Sequence, residues 1–159
     1  MKAYIILLGR SVWASLNTYY SVLKKSSTHP DLVWVCTESI YEDELTPLIE
    51  GINIISTGFD FTPKTRTTVL PEGDIVEAGM EIGGLVNSLK KEYDVSIDIT
   101  SARKALVAGA LLSTTDNRSD HIYYLKIDTL NDISKPYPMI PKQHQELVDF
   151  RAETRRPSL

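Results

Sequence analysis

Compact apolar runs alternate with helical segments along nearly the whole chain, and this alternation constrains the fold more than any other feature. Ala3–Leu8 (AYIILL) is a short, continuous, β-rich run of the kind buried on both faces of a parallel sheet. Gly9 ends it. Ala14–Lys25 then places Ala14, Leu16, Tyr19, Tyr20, Val22 and Leu23 mostly on one side of a helix. After a His29-Pro30-Asp31 turn, Leu32–Cys36 (LVWVC) reads as a second buried strand. Tyr41–Glu50 predicts a short acidic helix, broken by Pro47 or wound around it, and Ile52–Ser56 (INIIS) predicts a third strand. Gly58–Pro71 is polar and contains proline, as in an irregular loop. A long helix is expected from Asp74, its N-cap, to Lys91. Tyr93–Ile97 is the fourth strand, Arg103–Ser113 a helix and His121–Ile127 the fifth strand. Beyond Pro136, Pro138 and Pro141, a final helix is expected across Lys142–Phe150.

This order predicts the α/β class: a Rossmann-like, open, mainly parallel sheet with helices on both faces. One domain covers residues 1–150, and residues 151–159 (RAETRRPSL) form a polar, basic tail or the start of a linker. The commonest five-strand arrangement sets the first strand beside the fourth or the third, with a crevice where the strand order reverses.

Charge narrows the partners. Lys and Arg total 17 against 21 Asp and Glu, a formal net charge of -4, so broad binding of duplex nucleic acid is not expected. A few cations gathered in one pocket remain compatible with that balance. The single Cys36 excludes a disulfide framework and fits a reducing compartment. His29, His121 and His144 are too scattered to suggest metal-ligand spacing, so no metal and no cofactor are expected. No apolar run is long enough for a membrane segment or a signal h-region, which points to the cytoplasm.

In an open parallel sheet, ligands bind beyond the carboxyl ends of the strands. Two loops stand there with suitable chemistry. One follows the first strand and contains Gly9, Arg10, Ser11 and Trp13; the other follows the fourth and contains Thr100, Ser101, Ala102, Arg103 and Lys104. Both offer hydroxyls, cations and backbone N–H groups, and both open a helix whose N-terminal amides favour an anion. If these strands are neighbours, the loops face one another across a site for an anion, phosphate first. Structural roles compete at each position. Ser11 and Ser101 serve equally well as helix caps, Arg103 and Lys104 as solvated charges, Asp98 as an acceptor for nearby amides, and Trp13 as a core residue. The acidic stretch Glu38–Glu50 reads as a solvated outer face.

Known phosphate machinery is absent. There is no GxGxxG fingerprint and no GxxxxGK[ST] loop. The acids and phosphoacceptor of a receiver domain are replaced by Gly9-Arg10 and Thr57-Gly58, and no GxSxG elbow is present. Paired carboxylates do not fall on these loops. Metal-free phosphate recognition remains.

The block Asp98-Ile99-Thr100-Ser101-Ala102-Arg103-Lys104-Ala105-Leu106, entering the small-residue helix Val107-Ala108-Gly109-Ala110, resembles the D-[IV]-T-G-G-[TR]-K-x-M element of CARF domains, the CRISPR-associated Rossmann-fold sensors of type III systems. The apolar first strand, the Gly/Ser loop and the Tyr123-Tyr124-Leu125 strand fit the same order. The resemblance spans most of the chain and is sharp over about a dozen residues; Ser101-Ala102 replaces the family's glycine pair. It implies a cyclic oligoadenylate ligand, cyclic tetra-adenylate above all, bound across a homodimer. A ring with internal rotational symmetry suits a two-fold interface that presents the same loops to each half. The central phosphates would meet two copies of Arg103, Lys104 and the helix amides, while Arg10, Ser11 and Trp13 meet ribose, phosphate or adenine. Gly58–Thr68, with Lys64 and Arg66, is a candidate lid or an ordinary surface loop.

Some CARF proteins are ring nucleases that cleave their ligand without a metal, the ribose 2′-OH attacking its phosphodiester to leave a 2′,3′-cyclic phosphate. Here Lys104 would carry the developing charge and Ser11 and Ser101 would position the reacting groups. No histidine is placed as a base, so turnover is expected to be slow. The leading expectation is a sensor that regulates a linked or partner effector. A stand-alone ring nuclease is the enzymatic alternative, and a module for an ordinary nucleotide or sugar phosphate is the third. The length fits one sensor domain, so an effector is expected beyond Leu159 or on another chain, unless the ligand itself is the target.

Overall fold

A computed structural model describes residues 1–26, 29–114 and 119–154. The elements run β1 (Lys2–Leu8), α1 (Val12–Ser26), β2 (Leu32–Glu38), a 3-10 segment (Ser39–Glu44), α2 (Leu45–Gly58), β3 (Lys64–Leu70), α3 (Ile75–Leu89), β4 (Asp94–Asp98), α4 (Lys104–Ser113), β5 (His121–Ile127), β6 (Gln145–Asp149) and α5 (Phe150–Thr154). Short 3-10 turns at Leu130–Asp132, Tyr137–Met139 and Lys142–His144 join β5 to β6. The six-stranded sheet has the order β3-β2-β1-β4-β5-β6. All pairings are parallel except β5 with β6. The expected Rossmann-like α/β sheet is therefore present.

The uninterrupted apolar run of β1 follows from its place in the centre. Alternate residues of a strand point to opposite faces, so both sets must be apolar when both faces are covered. Ala3, Ile5 and Leu7 join a core with Ala78, Ile82 and Val86 of α3 and Leu106 and Ala110 of α4. Tyr4, Ile6 and Leu8 join a second core with Tyr19 and Leu23 of α1 and Leu48 and Ile52 of α2. Ile5, Ile6, Leu7 and Leu8 are wholly buried, each contributing roughly 1.5–3 kcal/mol. Helices α1 and α2 cover one face, α3 and α4 the other. The strand order reverses direction between β1 and β4, whose register pairs Ile6 with Asp98, so their carboxyl ends open side by side.

Three expected elements are different in the structure. Ile52–Ser56 is not a strand; it is the second half of α2, with Leu48, Ile52 and Ser56 buried at helical spacing. A short apolar run has no period of its own, and Leu48 four residues upstream decides it. Pro47 lies in the first turn of that helix, where its missing N–H costs nothing, so the helix is not broken. The true third strand is Lys64–Leu70, inside the stretch expected to be a loop. Its Thr65, Thr67, Thr68 and Val69 are β-branched, and its exposed Lys64 and Arg66 suit a strand paired on one side only. Lys142–Phe150 is not a helix: a 3-10 turn gives way to β6, which pairs Tyr124 with Val148 and Leu125 with Leu147. The expected N-cap at Asp74 is present, its carboxylate accepting from the Glu77 amide at 2.9 Å. Of the tail, residues 151–154 continue as α5, and residues 155–159 lie outside the described residues.

Candidate functional site

The loops after β1 and β4 meet, and Ser101 joins them. Its hydroxyl accepts from the Gly9 amide at 3.0 Å and donates to the Ser11 carbonyl at 3.0 Å. The approach is close enough to require glycine: a Cβ on Gly9 would lie 2.1 Å from the Ser101 carbonyl oxygen. Ser11 caps α1, accepting from the Ala14 amide at 3.2 Å. Ser101 caps nothing. Arg103 occupies the N-cap position of α4 without a side-chain cap bond. The first amides of α4 therefore present N–H groups at the loop.

Beneath the loops, Asp98 is fully buried at the end of β4 and accepts from the Thr100 amide at 2.9 Å. Burial pushes its carboxyl up to about 7, against the stabilising hydrogen bonds from Thr100. Its second oxygen has no hydrogen-bond partner, and neither does the buried Tyr4 hydroxyl. Thr100 Oγ1 accepts from the Leu125 amide at 3.0 Å and lies 2.9 Å from the Thr18 hydroxyl, which ties the loop to β5 and α1. Asp98, Thr100 and Ser101 thus act first as a scaffold.

Above that scaffold is a cavity of about 310 Å³ lined by Arg10, Tyr41, Ser101, Ala102, Arg103 and Lys104. Arg103 is held over it by Glu38, its Nε 3.1 Å from the carboxylate. Among the described residues, Arg10 and Lys104 have no salt-bridge partner, and both are exposed at the mouth. Two cations without counter-charge, a third positioned by a buried acid, and the uncapped start of α4 make a cradle for an anion.

The sequence candidates separate accordingly. Arg10, Ser101, Ala102, Arg103 and Lys104 line one cavity, with Gly9, Ser11 and Thr100 just behind it as loop scaffold. Trp13 does not join them. It is 44% exposed, and so not a core residue, and lines a separate apolar cavity of about 330 Å³ with Leu16, Tyr20, Ile54 and Tyr137. Lys64 and Arg66 form no lid: they sit in the amino-terminal half of β3, away from the carboxyl ends, with the Arg66 guanidinium 5.4 Å from the Trp34 ring centre. Glu38 is not on a solvated face but 5% exposed. Glu38 and Tyr41 were missed as site residues, although Glu38 ends β2 and the carboxyl-end rule applies to that strand too. A larger cavity of about 410 Å³, near Lys24, Lys25 and Lys142, lies at the far end of α1.

No protein-family model matches the sequence, and no curated protein matches it. A solved structure does: a type III CRISPR defence DNA nuclease activated by cyclic oligoadenylate. The likeness has a TM-score of 0.56 and 18% identity, and covers 79% of this chain. The chain spans 19% of the length of that nuclease. At this identity the likeness concerns the fold. Among the described residues, no helix is long and apolar enough to cross a membrane.

Proposed function

We propose that this domain binds cyclic oligoadenylate, cyclic tetra-adenylate first, as a homodimeric sensor, and that it regulates an effector linked to it or carried by a partner chain. The observation that carries this reading is the Ser101 bridge between Gly9 and Ser11, which fixes both loops at the reversal of strand order with Arg10 and Lys104 uncommitted above. Preorganised donors around an anion lose little entropy on binding. The net charge of -4 accords with a small ring held in one basic pocket rather than a long polyanion along a surface.

A ligand that binds only the folded domain raises its melting temperature. Cyclic tetra-adenylate at micromolar concentration is expected to raise it by several degrees, with AMP far weaker. An equal shift from AMP would favour an ordinary nucleotide site and overturn the reading.

The ring-nuclease reading keeps the same ligand and gives Lys104 the developing charge. Ser11 and Ser101 are both engaged in holding the loops, which favours a sensor that holds the ring intact. Chromatography after hours of incubation in EDTA separates the two. Intact ring supports the sensor, and a linear product ending in a 2′,3′-cyclic phosphate supports the nuclease.

A further inference from the structure

Outside the loop cavity, α1 forms one side of an open trough. Helix α2 approaches closely at the floor, where a Cβ on Gly51 would lie 2.6 Å from a Leu16 methyl carbon. The opposite wall is the turn Tyr137–Met139, and α1 holds it in place. The buried Asn17 side chain donates to the Lys135 carbonyl at 2.8 Å and accepts from the Tyr137 amide at 2.8 Å. The Tyr20 and Tyr137 rings pack 5.2 Å apart. One half of the trough is the cavity of about 330 Å³ lined by Trp13, Leu16, Tyr20 and Ile54. The other half is the cavity of about 410 Å³ lined by Lys24, Lys25, Lys142 and Ile140. Both halves share Tyr137 and Pro138. Trp13 is 44% and Ile54 73% exposed, large apolar side chains left in water. No Asp or Glu lines either half, and among the described residues the three lysines have no salt-bridge partner.

We infer that this trough docks a peptide segment of a partner protein, apolar at one end and rich in carboxylates at the other. The apolar half receives aliphatic anchors, and the lysine half receives the acids beside them. From Trp13 to Lys25, α1 rises about 18 Å, the length of an amphipathic helix of about three turns laid in a groove. A small anion would use the lysines and leave the apolar half in water. Charge complementarity selects the acids: cations from two separate segments converge on one cavity, in a chain whose formal net charge is -4. Lys24 and Lys25 also suit the carbonyl end of α1, but Lys142 comes from the segment before β6, where that helix's dipole does not account for it. A bilayer would need protruding apolar side chains, whereas these line a recess. The wall fixed by Asn17 is in place before a partner arrives, which lowers the ordering cost of binding. The inference rests on the sensor reading only in taking the partner to be an effector. The trough shares no lining residue with the cavity of Arg10 and Lys104, so the two readings fail separately.

The whole chain and two fluorescein-labelled peptides test this without cyclic ligand. One peptide carries leucines at helical spacing beside a run of glutamates; the other replaces those glutamates with lysines. Fluorescence anisotropy is expected to show saturable micromolar binding of the first and none of the second. Ile54→Asp and Lys25→Glu, both at exposed positions, are each expected to weaken binding by about tenfold or more with an unchanged melting temperature. The unlabelled glutamate peptide is expected to shift tryptophan emission to the blue as it covers Trp13, a change lost in Trp13→Phe. No binding of the glutamate peptide, equal binding of the lysine peptide, or binding indifferent to both trough substitutions overturns the assignment. Two further outcomes overturn it by giving the trough to another occupant. One is phosphatidylserine vesicles bound as well as the peptide and released by Lys25→Glu; the other is a dimer in light scattering that Ile54→Asp dissociates. Cyclic tetra-adenylate binding by the same variants reports the sensor reading separately, since neither substitution touches the loop cavity.

Discussion

The Ser101 hydroxyl holds the Gly9 amide at 3.0 Å across 92 positions of sequence. Through that bond the two loops at the reversal of strand order behave as one rigid floor. Replacing Ser101 with Ala leaves the Gly9 N–H and the Ser11 carbonyl without that partner. A stability loss of about 1–3 kcal/mol is expected in urea unfolding, with weaker ligand binding than in the wild type. Unchanged stability and affinity would show that the bridge organises nothing.

Gly9→Ala tests the close approach itself. The added methyl would meet backbone, the Ser101 carbonyl at 2.1 Å, so one loop must move away from the other. Overpacking of this kind costs about 1–3 kcal/mol. The folded variant is expected to bind ligand at least tenfold more weakly; wild-type affinity would mean that the spacing of the loops is unimportant.

Arg103 and Lys104 are sequence neighbours with opposite expected behaviour. Arg103→Ala leaves the carboxylate of Glu38, itself 5% exposed, without its ion pair, at a cost of about 1–3 kcal/mol, so the melting temperature falls. Lys104→Ala removes an exposed cation with no salt bridge, so stability holds while affinity drops tenfold or more. Thermal melts beside calorimetric titrations of the two variants check both. Equal melting losses, or normal binding by Lys104→Ala, would contradict the division of roles.

Asp98 makes stability depend on pH. Its folded carboxyl titrates near 7, above the unfolded value near 3.9, so the folded state binds the extra proton between those values. The burden of the buried charge is absent below about 4, grows through the window, and is complete above about 7. Asp98→Asn keeps an acceptor for the Thr100 amide and removes the charge. Its stability relative to the wild type is expected to rise from pH 4 to 7 by up to a few kcal/mol and then level off. A difference that stays flat in denaturation curves across this range would place the Asp98 titration elsewhere.

Much of this arrangement is legible in the sequence, for definite physical reasons. β1 and β2 contain continuous apolar runs because a central strand is covered on both faces, while β4 and β5 are marked by buried Val95, Ile97, Ile122, Tyr123 and Leu125 among polar residues. The two site loops follow from the rule that ligands sit at carboxyl ends, and Lys104 and Arg103 from unusual cations in a first helical turn. The α2 segment was misread because INIIS suits either period until Leu48 and Ile52 are seen to share one buried face. β3 and β6 were missed because outer strands are polar and borrow their order from a neighbour: β3 from β2, β6 from β5. Glu38 gave no sign of burial because its partner, Arg103, lies far away in sequence and next to it only in the fold.

Titration calorimetry of cyclic tetra-adenylate into the wild-type chain tests the central claim most directly. The account predicts saturable heat at micromolar protein or below, at one ring per two chains, lost or strongly weakened in Lys104→Ala. No heat with cyclic tetra-adenylate or cyclic hexa-adenylate at micromolar protein would contradict it.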